Sequence, residues 1–404
     1  MKVLMVNKFL YPRGGAETYF LKIGALLEKR GHQVEYFGMA DERNIVGNSL
    51  NLSVRNKDFH NAGLEKYLYP FQIIYSLEAK RKIRRVIREF KPDIIHLNNI
   101  NFQLTPSIID AAAAEKVPMV QTVHDLQMLC PNHLMLDVNK MKPCELCMHG
   151  TMWNCVKGNC IHGSKLKSII GSIEGILYRY IKTYDKVTTY ICPSEFIEKK
   201  LLNRTRYKGK TQMLRNFLGE IPKDGAQEKK DYVLFFGRLS QEKGIDEFIK
   251  ACEMLPEIPF VIAGSGPLEE KCKNSGLKNV QYVGFQTGDA LKKLVQEALF
   301  SVHFSIWYEN APLAILESQA LGTPVLCNRI GGIPELVDEN ETGILNDIFT
   351  AESYAEQIRK LYNDREKLKQ FAANCLNKKN TMMTLEAYTE RLLKIYNDVT
   401  ERRG

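Results

Sequence analysis

Within its first 37 residues the chain passes through an apolar run (2–6), a polar loop ending in Gly14-Gly15, a helical stretch (16–30), Gly31 and a second apolar run (33–37). Strand, loop, helix and strand in that order make a βαβ unit, whose strands lie parallel and whose helix covers a sheet face. Apolar runs at 93–97, 119–123 and 187–192 continue the rhythm, with helical stretches between them. The second half repeats it with runs at 232–236, 260–263, 280–283, 300–304 and 323–327 and a helix around 245–254. Between the halves, residues 219–231 are polar, with Pro222, Gly225 and four consecutive charged residues, which is linker composition. The expectation is an α/β chain of two doubly wound, Rossmann-like domains, 1–218 and 219–385, facing across a cleft at the carboxyl ends of both sheets. A last helix near 386–404 is free to pack back onto the first domain.

Composition bounds the function. With 404 residues, 44% of them hydrophobic, the chain has material for two to three domains at ~150 residues each. No apolar run reaches the ~18 residues of a membrane span. The four apolar residues at 3–6 fall short of a signal peptide's core of ~7 or more. A cytoplasmic protein is expected, with its ten cysteines as thiols or metal ligands. The net charge of +9 sits wholly in residues 1–190, which hold 26 Lys and Arg against 17 Asp and Glu. An anionic partner of that half and a merely solvated basic surface both fit.

The densest chemistry lies in 304–317 (FSIWYENAPLAILE). Pro312 suits the first turn of a helix, with Asn310 or Ala311 at the cap. The amides of such a helix start attract anions. Glu309 before it and Glu317 inside it suit the hydroxyls of a polyol; a helix-start charge and a solvated helix residue are the plain alternatives. Arg238 and Lys243, at the end of one strand and the start of the next helix, can converge on a diphosphate, the first as a planar fork and the second as a point charge. Gly264-Ser265-Gly266 follows the next strand, where a backbone must pass close to a ligand, although a lone Gly-x-Gly is weak evidence. Gly331-Gly332-Ile333-Pro334-Glu335 follows another.

With these residues in this order, the run 237–343 resembles the nucleotide-sugar-binding half of a retaining glycosyltransferase of the GT-B fold, glycosyltransferase family 4. The resemblance implies that Arg238 and Lys243 hold the donor diphosphate and that Glu317 holds the ribose hydroxyls. Glu309 would hold donor-sugar hydroxyls near the reacting carbon, with the backbone of Asn310, Ala311, Pro312 and Leu313. Gly264 and Gly266 complete the donor site. In the first half, Gly14-Gly15 corresponds to the family's glycine loop, and His124-Asp125 to a His-Asp that contacts the donor sugar. His124 and Glu309 are thus the expected catalytic residues. Glu17 reads as a first-turn helix acid. The resemblance also implies retention of anomeric configuration, with no metal or other cofactor in catalysis.

Five cysteines crowd into 31 residues: Cys130, Cys144, Cys147, Cys155 and Cys160. A structural zinc on Cys144, Cys147, Cys155 and Cys160 would staple an insertion at about 130–163 that is poor in core residues. Disulfides, free thiols and an iron–sulfur cluster are the alternatives. Two basic stretches, 80–88 and 165–182, carry apolar residues at helical spacing. Such helices either pack their apolar faces into a core or lie on an anionic membrane surface at the inner face of the plasma membrane.

The expected function is transfer of a sugar from a nucleotide-sugar donor, UDP-linked, to a glycan or lipid-linked acceptor in cell-surface polysaccharide synthesis. A nucleotide-sugar epimerase of the same fold and a catalytically silent partner subunit are the competing readings. Nucleic acid is not expected as a partner, because the 80–88 run has no interleaved aromatics for base stacking. A dehydrogenase is disfavoured because loop 7–15 lacks Gly-x-Gly-x-x-Gly.

Overall fold

The computed structural model describes residues 1–56, 73–102, 104–219 and 228–401. Most of the stretch expected as a linker, 220–227, lies outside the described residues, as do 402–404 of the last helix. The chain forms two compact units. The first comprises Met1–Lys140, Cys144–Arg215 and Leu385–Gly404, the second Asn216–Thr384 with the short stretch Met141–Pro143.

In the first unit a six-stranded parallel sheet contains β1 (Lys2–Val6), β2 (Gln33–Phe37), β3 (Ile94–Leu97), β4 (Met119–Thr122), β5 (Thr189–Cys192) and β6 (Thr211–Met213), in the order β2-β1-β3-β4-β5-β6. Strands β3, β4 and β5 are buried at every position, as a parallel strand covered on both faces must be. They read as mostly apolar runs, with His96, Gln121, Thr122 and Thr189 as buried polar members. The chain reverses direction across the sheet at β1, so the loops after β1 and β3 flank the point where α/β folds take ligands.

The helix Leu385–Glu401 completes this unit. It buries Tyr388, Leu392, Ile395, Tyr396 and Val399. Its two tyrosines enter a polar chain inside the core. Tyr388 Oη lies 2.6 Å from Tyr19 Oη, which lies 3.0 Å from Thr122 Oγ1. Tyr396 Oη lies 2.6 Å from His96 Nδ1, whose Nε2 is 2.8 Å from the same Thr122 hydroxyl. Burial lowers the His96 pKa to about 3, with His124 adding to it, so this imidazole is neutral.

The second unit holds β7 (Val233–Phe236), β8 (Phe260–Ala263), β9 (Val280–Tyr282), β10 (Phe300–His303), β11 (Val325–Asn328) and β12 (Gly343–Asn346), all parallel, in the order β9-β8-β7-β10-β11-β12. Two α/β sheets of this kind are the GT-B pattern expected from the sequence. The strand order reverses between β7 and β10. Phe304, directly after β10, stacks on Tyr354 with ring centroids 3.8 Å apart. Asn328 Nδ2 donates both to Tyr354 Oη at 2.8 Å and to the Ser305 carbonyl at 3.0 Å. The aromatic core therefore fixes where the loop after β10 begins.

Candidate active site

The loops after β7 and β10 meet at the switch point of the second unit. Lys243 follows β7 in a short 3₁₀ turn (Gln241–Lys243), and its ammonium pairs with Glu309 Oε1 in the loop after β10. The same oxygen accepts from Ser305 Oγ at 2.6 Å and Trp307 Nε1 at 2.8 Å. Lys243 Nζ also lies 5.4 Å from the centroid of the Trp307 ring. Glu309 is buried, which raises its pKa, but the Lys243 charge and the three donors outweigh that and the net shift is downward. Among the described residues no donor reaches Glu309 Oε2, which leaves one carboxylate oxygen for a ligand hydroxyl.

Backbone packing holds this loop in place. Gly332 N donates to the Glu309 carbonyl at 2.8 Å. Gly331 has φ +60°, and a Cβ there would stand 2.2 Å from the same carbonyl oxygen. Gly331 is thus required by the close approach of the Glu309 backbone. Gly264, with φ +149°, plays the same part after β8, where a Cβ would lie 1.9 Å from the carbonyl oxygen of Gly237. The close approach expected at Gly264 and Gly266 is made by the neighbouring 237–239 backbone.

Arg238 is exposed and makes no hydrogen bond or ion pair among the described residues. The helix after the Glu309 loop begins at Leu313 and runs to Ala320. Pro312 stands at its cap with ψ 119° rather than in its first turn, and no side chain caps the helix. Pro312 has no N–H, so of residues 310–313 only Asn310, Ala311 and Leu313 carry amides to offer. Glu317 lies within this helix and is partly exposed. An exposed guanidinium, a lysine and an uncapped helix start make this edge suited to an anion such as a diphosphate.

In the first unit, His124 follows β4 and donates or accepts at Nε2 with Asn98 Oδ1, 2.9 Å away at the end of β3. Its ring meets Tyr19 edge-on at 5.2 Å. Desolvation lowers its pKa to about 4 although Asp125 pulls the other way, so the ring is neutral near pH 7. Asp125 accepts from Asn101 Nδ2 at 2.8 Å, and that amide also lies 2.8 Å from His133 Nδ1. Gly14 and Gly15 are exposed; Gly14 caps the helix Gly15–Lys29 in extended backbone that any residue adopts. Glu17 is a buried acid in that helix's first turn.

Sequence reading missed several members of these groups. Lys8 is one: burial and the Arg13 charge lower its pKa to about 8 against a smaller pull from Glu17. Asn98 is another, buried with its Nδ2 unpartnered among the described residues. An Asn-Asn pair directly after strand 93–97 was the available signal. His303, at the end of β10, is buried, and desolvation with the Lys243 charge lowers its pKa to about 3.

The five cysteines of the insertion come together in the fold. Among the described residues no group of three or more His, Cys, Asp or Glu side chains is arranged to hold a metal ion. Cys147 and Cys155 pack with Met152, and Cys160 and Ile161 lie against them. Cys130, Cys144, Cys147, Cys155 and Cys160 line one small cavity. The hydrogen bond with Cys160 raises the Cys155 thiol. Cys130, Cys147 and Cys155 are buried, while Cys144 and Cys160 are half-buried.

Comparison with known proteins accords with this architecture. The profile of the family described as Glycosyltransferase Family 4 matches residues 13–218, and that of Glycosyl transferases group 1 matches residues 219–380. An uncharacterized 42.6 kDa protein in the cps region of Klebsiella pneumoniae is 25% identical over 365 residues, 83% of this chain and 87% of that protein. Among solved structures, Anabaena HepE in complex with UDP superposes with a TM-score of 0.68 at 18% identity, over 98% of this chain and 100% of that one. Sucrose-phosphate synthase from Thermosynechococcus elongatus gives 0.70 at 16% identity, over 99% of both chains. The chain belongs to glycosyltransferase family 4 and has the GT-B fold.

Proposed function

We propose that this glycosyltransferase moves a sugar from a UDP-linked donor to a hydroxyl of a glycan or lipid-linked acceptor, with retention of anomeric configuration and without a catalytic metal. The observation that carries the reading is the Lys243–Glu309 pair at the switch point of the second unit, beside exposed Arg238 and an uncapped helix start. HepE, whose structures hold UDP and UDP-glucose, supports the choice of nucleotide. The basic first half supports an anionic, lipid-linked acceptor.

In the proposed step the bond from the anomeric carbon to the β-phosphate oxygen breaks, and the acceptor oxygen bonds to that carbon from the same face. The acceptor proton passes to the departing phosphate oxygen. Arg238, Lys243 and the amides of Asn310, Ala311 and Leu313 stabilise the charge growing on the leaving diphosphate. Glu309 Oε2 holds donor-sugar hydroxyls, and Glu317 the ribose. The test is thermal shift with UDP-, GDP-, ADP- and TDP-sugars on wild type, Arg238→Ala and Glu317→Ala. A shift with UDP-sugars alone, lost in both variants, is expected. A folded wild type that responds to no donor would refute the reading and favour a silent partner subunit.

A further inference from the structure

The helix Lys165–Tyr180 is packed inside out. Ile169, Ile170, Ile173, Ile176, Leu177 and Tyr180 recur at helical spacing and form one apolar stripe, which either packs into a core or meets a membrane surface. The buried residues are instead Ser168, Gly171, Ser172, Glu174 and Tyr178. Against this face of small and polar residues lies the cysteine-rich insertion. Ser168 Oγ accepts from Ile161 N at 3.1 Å, and Ser172 Oγ donates to the Met152 carbonyl at 2.9 Å. A Cβ at Gly171 would stand 2.4 Å from Ile161 Cδ1, so the inner face is small because the insertion lies close against it.

Four apolar side chains of the helix are left in solvent, while Ile169, Ile170 and Leu177 are half-buried. Leu166 is 68% exposed, Ile173 41%, Ile176 36% and Tyr180 83%. The insertion adds exposed Leu146 and Trp153. An exposed apolar stripe of this kind marks a contact with something else. Its charge says what. Lys165, Lys167 and Lys182 are exposed at the two ends of the stripe, and the one acid within 163–182 is Glu174, which is buried. The other basic helix, Leu77–Phe90, buries Ala79, Ile83, Val86 and Ile87 and so has its apolar face already covered.

We infer that the outer face of Lys165–Tyr180 docks on an anionic lipid surface, with Leu166, Ile173, Ile176 and Tyr180 entering the headgroup boundary and the flanking lysines meeting the headgroups. An apolar stripe edged by lysines is the pattern of a helix lying in the membrane plane. The helix has 16 residues, and no helix of the described residues is long and apolar enough to cross a membrane, so it lies on the surface. The inference does not rest on the sugar-transfer reading, since lipid binding needs no donor.

The experiment is co-sedimentation of the full chain with vesicles of phosphatidylcholine alone and of phosphatidylcholine with phosphatidylglycerol. Binding is expected only with the anionic lipid. Lys165→Glu with Lys167→Glu should weaken it by about tenfold or more, at a factor of ~5 per basic residue lost. Ile173→Glu with Ile176→Glu should weaken it comparably. All four positions are exposed, and unchanged melting of the variants would show that the fold is intact. Equal binding to both vesicles, or binding untouched by either pair, overturns the inference. So does an absence of binding. If that absence comes with a concentration-dependent dimer that Ile173→Glu dissolves, the face belongs to a second copy of the chain.

Discussion

Glu174 lies on the inner face of the same helix and lines a cavity of about 20 Å³, room for little more than one water. It is 6% exposed and has no hydrogen-bond or ion-pair partner among the described residues. Desolvation raises its pKa from 4.5 to about 8. A pKa raised on folding contributes stability that is complete below the unfolded value and lost as pH climbs through the folded one. Between about pH 5 and about pH 7 the wild type should therefore lose about 2 to 3 kcal/mol relative to a chain that cannot ionise there. Glu174→Gln is that chain, since the amide preserves shape and carries no charge. The assay is urea unfolding of both proteins at the two pH values, in a Trp307→Phe background. The chain has two tryptophans, so Trp153 then reports the first unit alone. The stability gap should widen in favour of the variant by about 2 to 3 kcal/mol on going to the higher pH, or roughly 5 to 10 °C in melting temperature. A gap equal at both pH values would refute the reasoning. It would mean that Glu174 is ionised throughout and compensated by Arg179, Arg204 or Arg206, which line the same cavity.

In the second unit, Lys243→Met should cost about 3 kcal/mol, because it leaves Glu309 buried with only neutral donors; the double variant with Glu309→Gln should recover most of it, and a double-mutant cycle of unfolding measures this. Gly331→Ala forces a Cβ onto the Glu309 carbonyl at φ +60° and should cost about 2 kcal/mol or more while abolishing the donor-induced thermal shift. Folded-state pKa values of about 3, 4 and 3 for His96, His124 and His303 mean that stability present above pH ~6.5 is lost as pH falls toward ~4, with proton uptake on unfolding that His124→Gln should reduce in a potentiometric titration. Metal analysis of protein purified without an affinity tag checks the expected zinc on Cys144, Cys147, Cys155 and Cys160: about one equivalent per chain supports it, and well under one refutes it.

Much of the architecture was legible because parallel strands buried on both faces leave mostly apolar runs, unbroken at 233–236 and interrupted only by His96 at 94–97. Half-exposed β6 and the late strand β12 left weaker traces and went unread. The spacing of Glu309 and Glu317 around a helix start was legible, and Arg238, Lys243 and Gly331-Gly332 stood in order at strand ends. What spacing could not carry was the partner of each group. Lys243 and Glu309 are 66 residues apart, and their pairing depends on β7 and β10 being neighbours. The orientation of Lys165–Tyr180 was hidden for a related reason. Periodicity finds an apolar stripe, but what packs on the opposite side decides which way it turns. The cysteine spacing matched a metal-ligand pattern, and the fold gathers all five around one small cavity.

The chain of hydroxyls from Tyr388 through Tyr19 and Thr122 to His96 and Tyr396 has a consequence for synthesis. The helix that supplies both end tyrosines emerges from the ribosome only after all of 216–384. Until then the nascent first unit exposes the groove that Tyr388, Leu392 and Tyr396 will fill, and the strand leading to His124 lacks its support. The second unit can thus close early, while the first must wait for residues 385–401. A ribosome stalled before that helix should display a protease-sensitive first unit beside a folded second one.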